Sequence, residues 1–262
     1  MLKIDEALIF NLKEIMLEAS DLVLKIYNQY LDSDLIELQV KSDSSPLTNA
    51  DIASHDYISR ALKKLSPHVP IISEEGLGRE AGNFFWLVDP LDGTKEFLNK
   101  THEFTVNIAL IKDKKPILGF IFAPKLKQYY WGAQGIGAFL IESQGERSLK
   151  INQSKSDIES LKVAVSRNHL NEETRLFVEQ LGSVSLVEVG SSLKFCLIAD
   201  SSLDIYPRFA PTYEWDTAAG QIILEESGGG VWDTSLQNKL SYGKINFLNH
   251  GFIATRNLAI MR

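Results

Sequence analysis

The segment Trp86-Leu-Val-Asp89-Pro90-Leu91-Asp92-Gly93-Thr94 constrains this chain more than any other. An apolar run leads straight into two carboxylates three positions apart, and Gly and Thr follow. Apolar runs of this kind form buried strands, so a strand ending at Asp89 delivers its carboxylate to the edge of a sheet. Pro90 fixes φ there and lets Asp92 turn back toward the same point. Two acids facing one point call for a cation, and hard divalent ions take several oxygen ligands, to which the Leu91 carbonyl adds one. Gly93 has no Cβ, so the N–H groups of Gly93 and Thr94 can approach a phosphate oxygen at the start of a helix. A bare Asp-Gly is an ordinary surface turn, but composition yields the whole Asp-Pro-x-Asp-Gly-Thr string on the order of 10⁻⁶ times per position. Phosphatases that pass through an aspartyl-phosphate carry Asp-x-Asp-Gly-Thr; here Pro90 stands at the nucleophile's position, which disfavours a covalent route.

The remaining sequence can enclose that segment in a sizeable core. Of 262 residues, 44% are hydrophobic and 23% charged, inside the globular range. At about 150 residues per domain, the length fits one large domain or two fused halves. Lys and Arg number 27 against 34 Asp and Glu, and the net charge of -7 argues against non-specific attraction to nucleic acid or anionic membrane. A bound phosphate must therefore be held by local groups. Cys196 is the single cysteine and no Cys/His spacing resembles a zinc site, so a reducing, cytoplasmic setting is expected. Asp5 and Glu6 carry the wrong charge for a signal peptide, and no apolar run reaches the ~18 residues of a membrane span. The expectation is a soluble, unprocessed monomer that has no integral membrane segment and no nucleic-acid partner.

Apolar residues from Leu8 to Tyr30 recur at three- and four-residue spacing and predict an amphipathic helix. Ile36, Leu38 and Val40 alternate as in a short strand. Thr48 with Asp51 marks a helix start and puts Asp51 in a first helical turn. Short apolar runs at 71–72, 84–88, 104–111 (alternating), 117–122 and 129–131, punctuated by Gly, Pro and Asp, predict a multi-stranded sheet. From about Lys150 the rhythm becomes alternating α and β, with strands at 163–165 and 184–189 and helices near 172–180 and 191–199. A last helix runs from Asp216 to Glu226 and stops at the glycine triplet 228–230. The expected organisation is an N-terminal α+β half, 1–149, and a C-terminal α/β half, 150–262, packed as one body.

Other candidate groups each have a plain structural reading beside the chemical one. Glu74 follows Ile71-Ile72-Ser73, where a strand end again aims a carboxylate at the rim of a sheet; Glu74 and Glu75 also fit a solvated strand exit. In Trp215-Asp216-Thr-Ala-Ala-Gly220, Asp216 sits at the cap of a helix whose small residues permit close packing, and an N-cap Asp needs no further role. Gly190-Ser191-Ser192 before Lys194 is a strand-to-helix turn whose N–H groups, hydroxyls and charge can hold an anion, or an ordinary helix cap. Arg208 offers a planar guanidinium for phosphate, or a surface charge. By themselves, Asp51 reads as a capping acid, Cys196 as core packing and His169 as a solvated loop residue.

Taken in order and context, Glu74, the Asp89–Thr94 string and the Trp215–Gly220 string resemble the motifs of the lithium-sensitive, magnesium-dependent inositol monophosphatase superfamily. Asp92-Gly-Thr-Lys-Glu-Phe97, Glu103-Phe-Thr-Val-Asn-Ile-Ala-Leu-Ile111, Gly190-Ser-Ser-Leu-Lys-Phe-Cys-Leu197 and Tyr206-Pro-Arg-Phe209 are similar to its bacterial 3'(2'),5'-bisphosphate nucleotidases, over about 41–255. The resemblance implies an α/β fold, a layered α/β/α/β/α sandwich. It implies a site for two or three Mg²⁺ ions, with Glu74, Asp89 and the Leu91 carbonyl on one ion and Asp89, Asp92 and Asp216 on a second. It implies Thr94 and Asp51 as the pair that takes a proton from the attacking water. Around the substrate it implies Glu74, Asp92, Gly93, Thr94, Gly190, Ser191, Lys194, Arg208 and Asp216, with Ser166 to His169 beside the adenosine. The implied reaction removes the 3'-phosphate of 3'-phosphoadenosine 5'-phosphate, and of its 5'-phosphosulfate, in sulfate assimilation. Inositol monophosphate hydrolysis is the alternative within the superfamily, and a nucleotide- or cation-binding regulator without turnover is the alternative outside it. Peripheral association with the inner face of the membrane is implied for some relatives, and the acidic composition lends it no support.

Overall fold

The structure, a computed structural model, describes residues 2–41, 46–76, 81–151, 160–167 and 171–261. Asp5 caps helix α1 (Glu6–Ser33) by accepting the Leu8 N–H at 3.0 Å, and the apolar stripe from Leu8 to Tyr27 is buried. A ribbon of β1 (Leu38–Val40) and β2 (Pro46–Thr48) leads into α2 (Asn49–Leu65), which opens on a Thr48/Asp51 capping box. Both helices lie on one face of a seven-stranded sheet. Its strands follow sequence order: β3 (Ile71–Ser73), β4 (Phe84–Asp92), β5 (Thr105–Lys112), β6 (Lys115–Ala123), β7 (Gln128–Ala133), β8 (Gly137–Glu142) and β9 (Gly145–Leu149). β3 and β4 run parallel and the later pairs antiparallel. A short helix α3 (Thr94–Leu98) leaves the end of β4.

The second half adds a sheet of five strands ordered β11-β10-β12-β16-β14. These are β10 (Leu161–Val165), β11 (Val184–Glu188), β12 (Ile205–Arg208), β14 (Gly230–Trp232) and β16 (Phe252–Thr255), while β13 (Thr212–Tyr213) and β15 (Leu248–Asn249) form a separate ribbon. Helix α4 (Glu172–Gln180) covers the outer face of this sheet, where Val178 joins Val163 and Ile205 in one buried apolar cluster. Helices α5 (Leu193–Ala199) and α6 (Ala218–Ser227) fill the space between the two sheets. The layers are therefore α1/α2, large sheet, α5/α6, small sheet, α4, the expected α/β/α/β/α sandwich.

The strands of the large sheet depart from the expected pattern in several places. Residues 104–111 were expected to alternate, but β5 is buried from Thr105 to Ile111. Val106, Ile108 and Leu110 face α1 and α2, while Ala109 and Ile111 face α5 and α6; with helices on both faces no solvent side remains to favour polar residues. The hairpin β8–β9 is new: β8 has an apolar run, Ala138–Ile141, that the expected strands leave out, whereas β9, Gly-Glu-Arg-Ser-Leu, is exposed along most of its length and has none. Close packing by the Ala218-Ala219-Gly220 run is found as expected. A Cβ on Gly119 would stand 2.5 Å from Ile222 Cγ2 and 2.8 Å from Ala219 Cα, so α6 rests on the bare backbone of β6. That contact carries the preceding turn to the ends of β4 and β5.

Candidate active site

The strand expected to stop at Asp89 continues to Asp92. It pairs with β5 at Asp89↔Asn107 and Asp92↔Thr105, so Pro90 and Leu91 oppose a single residue in a β-bulge. The bulge, rather than a strand end and a reversal, turns both carboxylates to one side. The Leu91 N–H donates to Asp89 Oδ1 at 3.1 Å and fixes the bulge from within. Gly93 then adopts φ +88°, where a Cβ would press on Glu103 O at 3.2 Å and Ser191 Cβ at 3.3 Å, and α3 starts at Thr94 as expected.

These residues face a cavity of about 370 Å³ between the two halves of the fold. Glu74, Asp89, Leu91, Asp92, Gly93 and Thr94 line it from the first half. Ser166, Ser191, Lys194, Arg208 and Asp216 line it from the second. Gly190 is buried behind Ser191, and Asp51 stands one hydrogen bond behind Thr94. His169 lies outside the described residues.

Asp216 is not the N-cap of the last helix. It closes a 3-10 turn, Glu214–Asp216, and Thr217 precedes α6. Its carboxylate accepts the Tyr213 N–H at 2.9 Å. The turn is held by Glu214, fully buried, which accepts the N–H groups of Gly243 and Lys244 at 2.7 and 2.9 Å.

The acids raise one another's proton affinity. Burial, then the charges of Glu74, Asp92 and Asp216, hold the Asp89 carboxyl well above its ordinary value. Burial, then Asp92 and Glu74, does the same to Asp216. Glu74 is raised by burial against the pull of Lys41, and Asp92 by burial against Lys194 and the Ser192 N–H. Among the described residues no three Asp, Glu, His or Cys side chains are gathered into a finished ligand cage. Glu74 instead turns to Lys41 Nζ (2.7 Å), Asp92 to the Ser192 N–H (2.5 Å) and Asp216 to Tyr213. The donor chemistry nevertheless fits a hard divalent ion: four carboxylates and the Leu91 carbonyl on one cavity, all oxygen, with a mutual repulsion that bound cations relieve.

Asp51 serves two partners with its two oxygens. Oδ2 accepts the Thr48 N–H at 2.8 Å and the Thr48 hydroxyl at 2.6 Å, which is the capping role. Oδ1 accepts the Thr94 hydroxyl at 3.1 Å, which ties it to the cavity wall. Burial pushes its pKa up to about 6, against the hydrogen bonds from Thr48.

The turn before α5, read as an anion-holding turn or an ordinary helix cap, spends two of its N–H groups on carboxylates of the protein. Its Gly190 N–H donates to Glu103 Oε2 at 2.8 Å and its Ser192 N–H to Asp92 Oδ2 at 2.5 Å, so both donors are engaged within the protein. Lys194 is buried rather than reaching out from the surface, and Nζ donates to the carbonyls of Val189 (3.0 Å) and Ser191 (2.7 Å). Burial lowers its pKa to about 8, against the attraction of Asp92. The lysine thus staples the turn and adds positive charge at the cavity. Arg208 is half-buried, with Nη2 on the Pro211 carbonyl at 3.3 Å, and is no solvated surface charge. Cys196 is buried in the core, as read.

Sequence reasoning missed Lys41, which pairs with both Glu74 and Glu75, and the strand residues Thr105 and Asn107. Lys41 has no local signal, since it reaches the site across 33 positions of chain. Asn107 had one: a polar amide inside the run Val106-Asn107-Ile108 must find buried partners.

A model of the inositol monophosphatase family matches residues 3–259. The chain is similar to the 3'(2'),5'-bisphosphate nucleotidase CysQ of Salmonella typhimurium, at 40% identity over 241 residues, which cover 90% of this chain and 95% of the relative. The CysQ of Buchnera aphidicola is 41% identical over 247 residues, 90% of this chain and 89% of the relative. Among solved structures, CysQ from Bacteroides thetaiotaomicron superposes with a TM-score of 0.81 at 33% identity, covering 97% of this chain and 99% of that one. The Thermotoga maritima IMPase has the same fold, with a TM-score of 0.80 at 22% identity over 98% and 96% of the two chains.

Proposed function

We infer that this chain, which belongs to the inositol monophosphatase family, is a divalent-cation-dependent phosphatase that removes the 3'-phosphate of 3'-phosphoadenosine 5'-phosphate, and of its 5'-phosphosulfate, in the cytoplasm. The observation that carries this reading is the convergence of Glu74, Asp89, Asp92 and Asp216 on one cavity that the Asp51–Thr94 pair adjoins. The names of relatives at 40% identity over nine-tenths of the chain support the nucleotide as substrate.

In this reading Glu74, Asp89, Asp92, Asp216 and the Leu91 carbonyl hold Mg²⁺ ions. Bound there, Mg²⁺ supplies positive charge that makes water a stronger acid and steadies the oxygen that leaves phosphorus. Thr94 and Asp51 take up the proton. The Thr94 hydroxyl gives its hydrogen to Asp51 Oδ1, which leaves its oxygen lone pairs to accept a proton from water on the cavity side. A carboxyl whose pKa lies near 6 suits proton transfer at neutral pH. Gly93 lets a phosphate oxygen come close to the start of α3, and its left-handed φ of +88° bars any bulkier residue from that position without strain. Ser191, Lys194 and Arg208 bring hydroxyl and positive charge to the opposite wall, suited to the second phosphate of a bisphosphate, and Ser166 lines the adenosine side.

The test is a rate comparison at equal Mg²⁺ among 3'-phosphoadenosine 5'-phosphate, inositol 1-phosphate and fructose 1,6-bisphosphate. The nucleotide is expected to give the highest kcat/KM. Inositol 1-phosphate ahead by tenfold overturns the assignment, and tight nucleotide binding without phosphate release revives the regulator.

A further inference from the structure

One buried polar chain at the back of the cavity has no part in the reading above. Thr105, Asn107 and Ser192 are 0, 1 and 2% exposed, the first two on β5 and the third at the start of α5. Ser192 Oγ donates to Asn107 Oδ1 at 2.8 Å. Because that uses the only hydroxyl hydrogen of Ser192, its 2.8 Å contact with Thr105 Oγ1 has Thr105 as donor. The Asn107 amide, with its oxygen facing Ser192, turns Nδ2 toward Asp92 Oδ2 at a long 3.4 Å. The backbone N–H of Ser192 reaches the same oxygen at 2.5 Å. Every donor in the series points one way, from Thr105 through Ser192 and Asn107 to Asp92 Oδ2.

We propose that Asn107 and Ser192 are positioning residues that bind one oxygen of Asp92 from behind and leave Oδ1 as the oxygen that Asp92 presents to a divalent cation. The same contacts join the cation side of the cavity to its substrate side. Ser192 belongs to the Gly190–Ser192 turn, Ser191 within it is held at φ +48°, and the Asp92 carboxylate is what receives the Ser192 N–H. Asp92 therefore organises the turn while the turn orients Asp92. A carboxylate with one oxygen already hydrogen-bonded gives up less rotational freedom on meeting a cation than a free one. Asn107 sits on a strand buried on both faces, so its position is set by the sheet and not by the ligand.

The inference rests on reading Asp92 as a cation ligand, and one set of titrations separates the two. Purified wild-type protein freed of metal is titrated with Mn²⁺ by calorimetry, and its melting midpoint is followed against Mg²⁺ concentration. Asn107→Ala, Ser192→Ala and the double variant are measured in the same way. Asn107→Ala is expected to weaken cation binding about tenfold, while KM for the nucleotide at saturating Mg²⁺ changes less than twofold. Ser192→Ala, which keeps the backbone N–H and removes only the hydroxyl that orients the Asn107 amide, is expected to weaken it about threefold. The double variant is expected to bind no more weakly than Asn107→Ala, since both act through one oxygen. Thr105→Ser, which retains the hydroxyl, should match wild type. Cation affinity unchanged in Asn107→Ala, or effects that multiply in the double variant, overturn the proposal. Should Asn107→Ala fail to fold, Ser192→Ala decides alone: unchanged affinity refutes the chain and a threefold loss supports it. Absence of cation binding by the wild type overturns instead the reading of Asp92 as a ligand.

Discussion

Asp51→Asn separates the two jobs of that side chain. The Thr48 backbone N–H facing Oδ2 is a donor that cannot reverse, and the Thr48 hydroxyl donates to the same oxygen. The asparagine oxygen must therefore take the Thr48 side, and its Nδ2 falls opposite Thr94 Oγ1, where Asp51 now accepts at 3.1 Å. The helix cap survives. The hydrogen bonds to Thr48 weaken by roughly 1 kcal/mol, but the neutral amide escapes the burial penalty that raises the Asp51 pKa, so the melting midpoint should stay level with wild type or rise. The loss falls on the reaction. Thr94 would receive a hydrogen from Nδ2 and turn its own toward the Leu91 carbonyl, already 3.3 Å away, so the pair can no longer accept a proton from water. Removal of a proton acceptor typically costs 10²–10⁴ in rate, and at the low end kcat falls ~100-fold, about 2.7 kcal/mol. The assay is initial-rate phosphate release from 3'-phosphoadenosine 5'-phosphate at saturating Mg²⁺, with Mn²⁺ affinity by calorimetry and the melting midpoint measured in parallel. A kcat within threefold of wild type, in a folded variant that still binds the cation, refutes the proton-accepting role and leaves Asp51 as a cap.

Two further substitutions test the acidic cluster and its support. Asp89→Asn removes the carboxylate that the other three acids repel, so the metal-free protein should melt a few degrees higher while Mg²⁺ no longer raises its midpoint; a lower metal-free midpoint, with the Mg²⁺ response kept, refutes the account of the cluster. Gly119→Ala puts a Cβ 2.5 Å from Ile222 and 2.8 Å from the Ala219 backbone. Overpacking of this kind costs about 1–3 kcal/mol, and because α6 follows directly on the turn that carries Asp216, Mg²⁺ affinity should fall with stability in the same titrations. Wild-type stability and affinity in this variant would falsify the claim that α6 is seated on bare backbone.

The long amphipathic stripe of α1, the Thr48/Asp51 start of α2 and the helix over 172–180 are set by spacing and capping chemistry, which act within a few residues. The limits of β4 were not legible, because a bulge is decided by what the partner strand offers at Asn107 and Thr105. Asp216 was misplaced by a turn for a similar reason: a buried Glu214 clamped by residues about 30 positions downstream makes the 3-10 turn preferable to an earlier helix start.

Local sequence supplies the atoms: four acids, a proline that fixes φ between two of them, a glycine free to take a left-handed turn and a threonine beside it, in strings too specific for chance. How those atoms are committed depends on contacts between distant parts of the fold. Burial brought Asp92 against the Ser192 N–H a hundred positions away, drew Lys41 onto Glu74, and closed Lys194 onto the carbonyls of Val189 and Ser191. Covalent neighbours and short-range periodicity reveal secondary structure, but hydrogen bonds and charges in a dry interior act between whatever the fold makes adjacent, and adjacency across two sheets is not written in any local stretch of chain.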